Sequence, residues 1–445
     1  MHIGTSYRDI WKISAPIIVG SAAQNVIALT DSVFLYYVSE EDFASIGFAA
    51  TFYLIVAAIG FGFSRGGQIL IARRAGQDQH AAVGRTFYSM MYFELALAGL
   101  LFLFMTFGCY WFFAALLDSD IIFDKSLEYI STRRWGVFAS YLGVGFIALY
   151  TGLARPVFVV VATVVLALVN IVLNRVFIFG GYGFEPMGIA GAGLASTIAE
   201  YVTLALFTIY MILDRKNRIY HIFNFPEIDR QIIRQIIRLS FPIVAMAMVG
   251  LGSSLVFFGL VENFGERALA VTNLVRIIYL VLCIPAWGFS SGINTIVSFF
   301  IGRRKRMAVI PILWKTTGLC TAVTALCMLP FVLFPRQVLY PLLGDERAYL
   351  IAEAQPILYV LAVILIIFSA GSIFFNGLIG SGATPYALKI QFSCTLGYML
   401  LIYAAVNLPG SNLAIAWAME AVYWTLVFGL SYRFLKSGRW KGMVF

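Results

Sequence analysis

Long apolar runs alternate with short polar breaks along the whole chain, and this pattern predicts about twelve helices. Each run holds about 20 residues, the length that an α-helix needs to cross the ~30 Å hydrocarbon core of a bilayer. No water is available there to hydrogen-bond the backbone, so each spanning segment must be helical. The predicted spans are 10–37, 44–72, 86–115, 136–154, 157–179, 190–213, 239–262, 269–300, 309–334, 351–377, 386–406 and 412–435.

The composition also indicates that the chain lies in a lipid bilayer. Hydrophobic residues make up 61% of the chain and charged residues 12%, and the mean hydropathy is +0.88. A soluble globular protein carries about 25% charged residues. The expected fold class is therefore an all-α membrane protein that has the lipid bilayer as its partner.

Arginine and lysine cluster in the breaks after even-numbered spans. The opposite side has the acidic segments 39–42, 118–120 and 344–346 and the uncharged segment 407–410. Basic residues in short loops are retained on the cytoplasmic side. Both termini are therefore predicted to be cytoplasmic, in a multi-pass protein of the cell (inner) membrane. The net charge of +9 reflects this topology and requires no nucleic-acid partner. The basic residues that carry this argument include Arg73, Arg74, Arg155, Arg215, Lys216, Arg303, Arg304, Lys305, Arg306, Lys389, Arg433 and Lys436.

Two segments of the chain repeat each other. Pro16 and Pro242 lie 226 positions apart, as do Gly62 and Gly288, each of which begins a Gly-Phe-Ser sequence. A duplication of this length is typical of membrane transporters built from internal repeats.

The repeat predicts two pseudo-symmetric lobes of six helices each. The lobes are 1–213 and 239–445, joined by a cytoplasmic linker, 214–238. Because each lobe holds an even number of spans, the two have the same orientation and are related by an axis along the membrane normal.

Asp31 is the strongest candidate for chemistry, since an ionisable group at the centre of a bilayer costs roughly 2.5–3.5 kcal/mol or more. Its equivalent in the second repeat is Phe257, so the acid is confined to one lobe. Burial disfavours the charged form and a bound cation restores it, so Asp31 is predicted to hold H⁺ or Na⁺. Gln24, Asn25 and Thr30 are the predicted supporting polar network. The alternative is a carboxylate satisfied by its neighbours for packing alone.

Asn170 and Asn174 are the predicted partners of Asp31. They stand four residues apart, so both side chains leave one face of the fifth span and offer carbonyl oxygens. Ser196 and Thr197, at the start of the sixth span, add hydroxyl groups to the predicted cation site. The alternative is an asparagine pair that links helices by hydrogen bonds.

Five further polar residues are possible contacts for a substrate in a cavity. Glu200 and Glu420 lie 220 positions apart, and this equivalence also favours a scaffold role. The five residues are Glu94, Glu200, Asn294, Asn376 and Glu420.

The combination of Pro16, Gln24 and Asp31 with the Asn170 to Asn174 segment and the small residues before Ser196 resembles the multidrug and toxic compound extrusion (MATE) transporters. The resemblance implies a twelve-helix, two-lobed antiporter that alternates between outward-open and inward-open states. Such proteins export organic, often cationic or amphipathic, compounds in exchange for H⁺ or Na⁺.

The resemblance also assigns residues. Asp31 falls on the family's first-span aspartate, Asn170 on its fifth-span asparagine and Ser196 on its sixth-span threonine. The sequence departs from the family's pattern at two places. Asn174 falls where archaeal and DinF-like members carry a second aspartate, and the seventh span, Leu239 to Val261, lacks the embedded glutamate of NorM-like members.

The sequence therefore predicts a monomeric secondary transporter of small organic molecules and no enzyme. The histidines, His2, His80 and His221, lie in predicted cytoplasmic segments, so no Ser-His pair can form in the bilayer. No phosphate-binding loop of the Gly-x-x-x-x-Gly-Lys-Ser/Thr type is present. No cofactor is expected beyond the coupling ion, and no metal beyond Na⁺ at Asp31.

Two other classes of function remain open. Arg65, Arg175 and Arg276 would suit a lipid-linked oligosaccharide or lipid flippase of the same superfamily, which uses a cationic cavity. A receptor or sensor without transport activity is disfavoured by the duplicated lobes.

Overall fold

The structure is a computed structural model that describes residues 3–224, 226–344, 349–408 and 412–442. Within these ranges, the side chains at 23–29, 32, 40, 224, 266, 342, 343 and 442 lie outside the described part. The helices, in chain order, are α1 (Tyr7–Tyr36), α2 (Glu40–Gly76), α3 (His80–Leu103), α4 (Cys109–Ala114), α5 (Asp120–Arg133), α6 (Gly136–Gly152), α7 (Val157–Phe179), α8 (Gly188–Leu213), α9 (Arg230–Val261), α10 (Glu266–Gly302), α11 (Val309–Leu333), α12 (Pro335–Leu343), α13 (Tyr349–Gly380), α14 (Thr384–Asn407) and α15 (Leu413–Ser437).

The helices confirm the all-α membrane fold. Within the described residues, ten helices are long and apolar enough to cross a membrane, and the pair α5 and α6, bent by 56°, can form an eleventh span. α1 has 30 residues, which at about 1.5 Å per residue also exceeds the bilayer core. Together these helices agree with the prediction of about twelve spans.

α5 is an element that the apolar pattern missed. Its sequence holds Asp124, Lys125 and Glu128 and reads as a polar break, yet it forms a helix of 14 residues. The Ser119 hydroxyl caps its first turn by accepting from the backbone N–H of Ile122. Lys125 also pairs with Asp42 at 3.0 Å, so part of the charge of α5 is neutralised inside the fold.

The chain divides into two compact units. Within the described residues, the first unit is Val19–Val244, and the second combines 3–18 with the described part of 245–442. The two points of division, after Ile18 and after Val244, lie 226 positions apart and so occupy equivalent places in the repeat. The start of α9 therefore belongs to the first unit and the start of α1 to the second.

The repeated glycines lie where α2 contacts α9 in the first unit and where α10 contacts α1 in the second. In the first unit, a Cβ at Gly62 would lie 2.6 Å from Cγ2 of Val244. In the second unit, a Cβ at Gly288 would lie 2.8 Å from the backbone nitrogen of Ile18. Both distances are too short for real Cβ atoms, so each helix crossing needs glycine. The Gly-Phe-Ser repeat in the sequence is thus a pair of equivalent close contacts between helices.

Candidate functional site

Four polar side chains of the first unit form a closed ring of hydrogen bonds. The Asn174 amide donates to Oδ1 of Asp31 at 2.5 Å and to Oδ1 of Asn170 at 3.1 Å. The Asn170 amide donates to Oγ of Ser196 at 3.0 Å, and this hydroxyl donates to Oδ2 of Asp31 at 3.4 Å. The ring joins α1, α7 and α8 around a single carboxylate.

Three members of the ring are buried and Asp31 is partly buried, and the ring offers one acceptor without a donor. Asn170 and Asn174 are 1% and 0% exposed, and Ser196 is 8% exposed. Within the described residues, Oδ1 of Asn174 has no hydrogen-bond partner. A buried carbonyl without a donor is costly, and so is a partly buried carboxylate without a cation. The arrangement therefore suits a small cation coordinated by oxygen atoms, or a proton bound to the carboxylate of Asp31.

Helix geometry and small side chains explain how the ring is assembled. Asn170 and Asn174 face the same way because four residues make about one turn of α7. α8 packs along α7 over its glycine-rich start, where a Cβ at Gly191 would lie 2.6 Å from the carbonyl oxygen of Phe177. This close approach brings Ser196 within reach of Asn170.

The other residues predicted for this site lie beside the ring or outside the described part. Thr197 turns away from it, and its hydroxyl donates to the carbonyl oxygen of Thr132 in α5 at 3.2 Å. Thr30 directly precedes Asp31 in α1. The side chains of Gln24 and Asn25 lie outside the described residues.

Glu200 takes part in a buried ion pair that sequence reasoning did not identify. Arg133 donates to its two carboxylate oxygens at 2.7 and 2.5 Å. The guanidinium also lies over the ring of Tyr53, with its central carbon 3.9 Å from the ring centroid. Arg133 closes α5, in a segment that the sequence pattern treated as a polar break. Glu200 therefore ties α8 to α5.

Glu94 of the first unit lies apart from the polar contacts described above. Its side chain in α3 is fully buried, and neither carboxylate oxygen has a hydrogen-bond partner within the described residues. It does not take part in the ring around Asp31.

Asn294 and Asn376 contact each other in the second unit. The Asn294 amide donates to Oδ1 of Asn376 at 3.3 Å, and the Asn376 amide donates to the carbonyl oxygen of Ser372 at 2.9 Å. The pair links α10 to α13.

Glu420 faces a cavity of the second unit with a volume of about 280 Å³. Its carboxylate accepts hydrogen bonds from the Tyr279 hydroxyl at 2.8 Å, the Trp424 indole at 3.2 Å and the Tyr398 hydroxyl at 3.4 Å. The sequence carried a signal for this contact, because Tyr279 lies 226 positions after Tyr53, and Glu420 lies 220 positions after Glu200.

Comparison with known proteins agrees with this architecture. The MatE family model matches residues 16–176 and 242–404, one segment in each half of the chain. The chain is 23% identical over 338 residues to the "Probable multidrug resistance protein NorM" of Synechocystis sp., covering 75% of this chain and 72% of that protein. It is also 23% identical over 371 residues to the "Multidrug resistance protein NorM" of Vibrio cholerae, covering 80% and 77%.

A solved structure of similar fold extends this agreement to the whole molecule. It is an outward-facing multidrug resistance MATE family transporter of the MOP superfamily, with a TM-score of 0.86 and 18% identity over 97% of this chain and 96% of that chain. This structural similarity supports the two-lobed helical fold. Since the family model matches well over half of its residues, the chain belongs to the MatE family of multi-pass membrane transporters.

Proposed function

We propose that this protein is a secondary active antiporter of the inner membrane. It exports organic compounds, cationic or amphipathic, in exchange for H⁺ or Na⁺ by alternating access. Asp31 binds the cation, and Asn170, Asn174 and Ser196 complete its surroundings. The observation that carries the proposal is the closed ring around Asp31, with its one carbonyl oxygen left without a donor.

The ring responds to protonation of Asp31. In the described arrangement both carboxylate oxygens accept hydrogen bonds, one from Asn174 and one from Ser196, and this matches the ionised form. A proton on either oxygen turns an acceptor into a donor and breaks one of these bonds. The free Oδ1 of Asn174 supplies an acceptor for the new O–H group if the amide turns. Protonation therefore alters the link between α1 and α7.

A sodium ion would use the same atoms in another way. The carboxylate of Asp31, the two amide carbonyls and the Ser196 hydroxyl are oxygen ligands, the type that hard cations prefer. The ring has one formal charge, so it binds one monovalent cation at a time and H⁺ competes with Na⁺. A ligand shifts a conformational equilibrium only through a difference in affinity between two states. The cation must therefore bind more tightly when the protein is open to one side.

Further features support the orientation and the cargo. Clusters of basic residues, such as 303–306, follow even-numbered spans, which favours cytoplasmic termini. The relatives named as multidrug resistance proteins favour small organic molecules as cargo. The duplicated halves belong to a single chain, which favours a monomer.

Flux measurements test the proposal. Purified protein in proteoliposomes is given a proton gradient or a sodium gradient separately, and movement of ethidium, an aromatic cation, is followed. Asp31→Asn should remove gradient-driven flux while the protein stays folded. Asp118→Asn, at an exposed site, is the matched control and should transport like the wild type. Full gradient-driven flux by Asp31→Asn would remove this residue from the mechanism.

A further inference from the structure

Glu200 and Glu420 hold equivalent places in the two halves but have different surroundings. Glu200 is neutralised by the two-pronged ion pair with Arg133. Glu420 accepts only from neutral donors, and within the described residues it forms no ion pair. Partial burial of a carboxylate disfavours its charged form, because the group loses contact with water. No ion pair within the described residues offsets this cost at Glu420.

The cavity beside Glu420 is lined by aromatic rings. The ring centroids of Phe257 and Trp417 are 5.4 Å apart, and those of Tyr398 and Tyr423 are 5.5 Å apart. Aromatic faces attract both flat apolar ligands and organic cations. The cavity, about 280 Å³, is close to the lower end of the ~300–1,000 Å³ typical of small-molecule sites. It therefore fits a ligand of about one ring system.

Arg276 lines the same cavity and brings the opposite charge. It precedes Tyr279 by three residues on α10, so both side chains lie on one face of this helix. Its guanidinium lies over the ring of Phe258 at 4.8 Å, and it has no ion pair within the described part of the chain. The cavity is thus lined by a partly buried acid, Glu420, and an exposed base, Arg276, which form no ion pair with each other.

We propose that this cavity of the second unit binds a zwitterionic aromatic compound, with its ammonium group on Glu420 and its carboxylate on Arg276. A simple organic cation would satisfy Glu420 but would be repelled by Arg276, and a simple anion would meet the reverse problem. A ligand with both charges on a flat ring pairs both groups and fills the aromatic walls. The inference names a class of cargo for the proposed function and the site that binds it. Binding of the compound does not depend on the proposed function, whereas its transport does.

Three related ligands test the inference by calorimetry on the purified full chain in detergent. They are para-(aminoethyl)benzoate, which carries both charges, para-methylphenethylamine, which carries only the amine, and para-ethylbenzoate, which carries only the acid. The zwitterion should bind at least about tenfold more tightly than either of the others, because each truncated ligand leaves one charged protein group unpaired. Equal affinities for the zwitterion and the amine, or no binding of any of the three, would overturn the inference.

Variants assign each charge. Glu420→Gln should weaken binding of the zwitterion and of the amine by about tenfold or more. Arg276→Gln should weaken the zwitterion similarly and leave the amine unchanged or tighter. Arg267→Gln is the matched control, since this arginine lies on the same helix, pairs with Glu353 and does not line the cavity. An Arg276→Gln protein that binds the zwitterion like the wild type would disprove the assignment.

The binding measurement separates this inference from the proposed antiport. No ion gradient is present in detergent, so loss of the expected ligand preference counts against the cavity alone. Wild-type protein that binds the zwitterion but moves neither the zwitterion nor ethidium under either gradient counts against the antiport alone.

Discussion

Asn174 donates a hydrogen bond from its amide to the carboxylate of Asp31 across 2.5 Å, and this bond connects α7 to α1. The other end of the same amide, Oδ1, is buried and has no partner within the described residues. The Asn174 side chain therefore stabilises the ionised form of Asp31 with its amide N–H, while its carbonyl oxygen accepts no hydrogen bond within the described residues. Under the proposed function, Asn174 is therefore the position at which we expect a substitution to change the ion preference.

Asn174→Asp should increase the affinity for Na⁺ by about tenfold or more. A second carboxylate beside Asp31 raises the number of charged ligands, and the affinity of oxygen sites for hard cations increases with this number. Calorimetric titration of the purified protein with NaCl, at constant ionic strength, measures the change. Asn294→Asp is the control, because Asn294 is also a buried asparagine with an unpartnered Oδ1 but lies outside the ring. An unchanged Na⁺ affinity in Asn174→Asp would show that this position does not contact the ion.

Ser196→Ala and Thr197→Ala are adjacent changes that should have different effects. Loss of the Ser196 hydroxyl leaves the Asn170 amide without its acceptor and Asp31 without one donor, at a cost of about 1–3 kcal/mol to the ring. Thr197→Ala removes only a bond to the Thr132 carbonyl, outside the ring. Flux in proteoliposomes at varied H⁺ or Na⁺ should show an altered ion dependence in Ser196→Ala and the wild-type dependence in Thr197→Ala. Equal ion dependence in the two variants would contradict the arrangement.

Much of the ring could be predicted from the sequence because its members depend on local rules. Asp31 is conspicuous as a charge within an apolar run, and Asn170 and Asn174 are related by one helical turn. Ser196 and Thr197 could not be distinguished in this way, because neighbouring residues on a helix point about 100° apart and only the packing of α8 decides which one faces Asp31.

The ion pair of Arg133 and Glu200 could not be predicted for a different reason. Arg133 lies in α5, whose charges resemble those of an ordinary loop, and its partner is 67 positions further along the chain. A count of charges cannot show that a polar segment folds into the bundle. Similarly, the equivalence of Glu200 and Glu420 predicted a shared scaffold role, but it gave no sign that Glu200 pairs with Arg133 while Glu420 forms no ion pair within the described residues.

Arg133→Leu and Glu200→Leu should each destabilise the protein by about 3–5 kcal/mol, because either change leaves an uncompensated buried charge. The double variant should lose less than the sum, since it removes both charges together. Unfolding in detergent, followed by the melting temperature or by a denaturant titration, measures these differences.

The control for this cycle is the more exposed pair of Arg267 and Glu353, whose side chains are 67% and 34% exposed. Such pairs contribute about 0–1 kcal/mol, so Arg267→Leu should have little effect. Additive losses in the cycle at Arg133 and Glu200 would mean that the two residues do not stabilise each other.

Gly62→Ala and Gly288→Ala should each lower stability by about 1–3 kcal/mol, the usual cost of overpacking. The new methyl group at Gly62 would meet Val244, whose branched side chain has little freedom to turn, and at Gly288 it would meet the backbone of Ile18. Gly318→Ala in α11 is the control, because a Cβ there has no other atom within 4 Å. This change should be neutral or stabilising by up to about 1 kcal/mol, since alanine favours helix. Similar melting temperatures for all three variants would show that the repeated Gly-Phe-Ser sequence is not required for close helix contact.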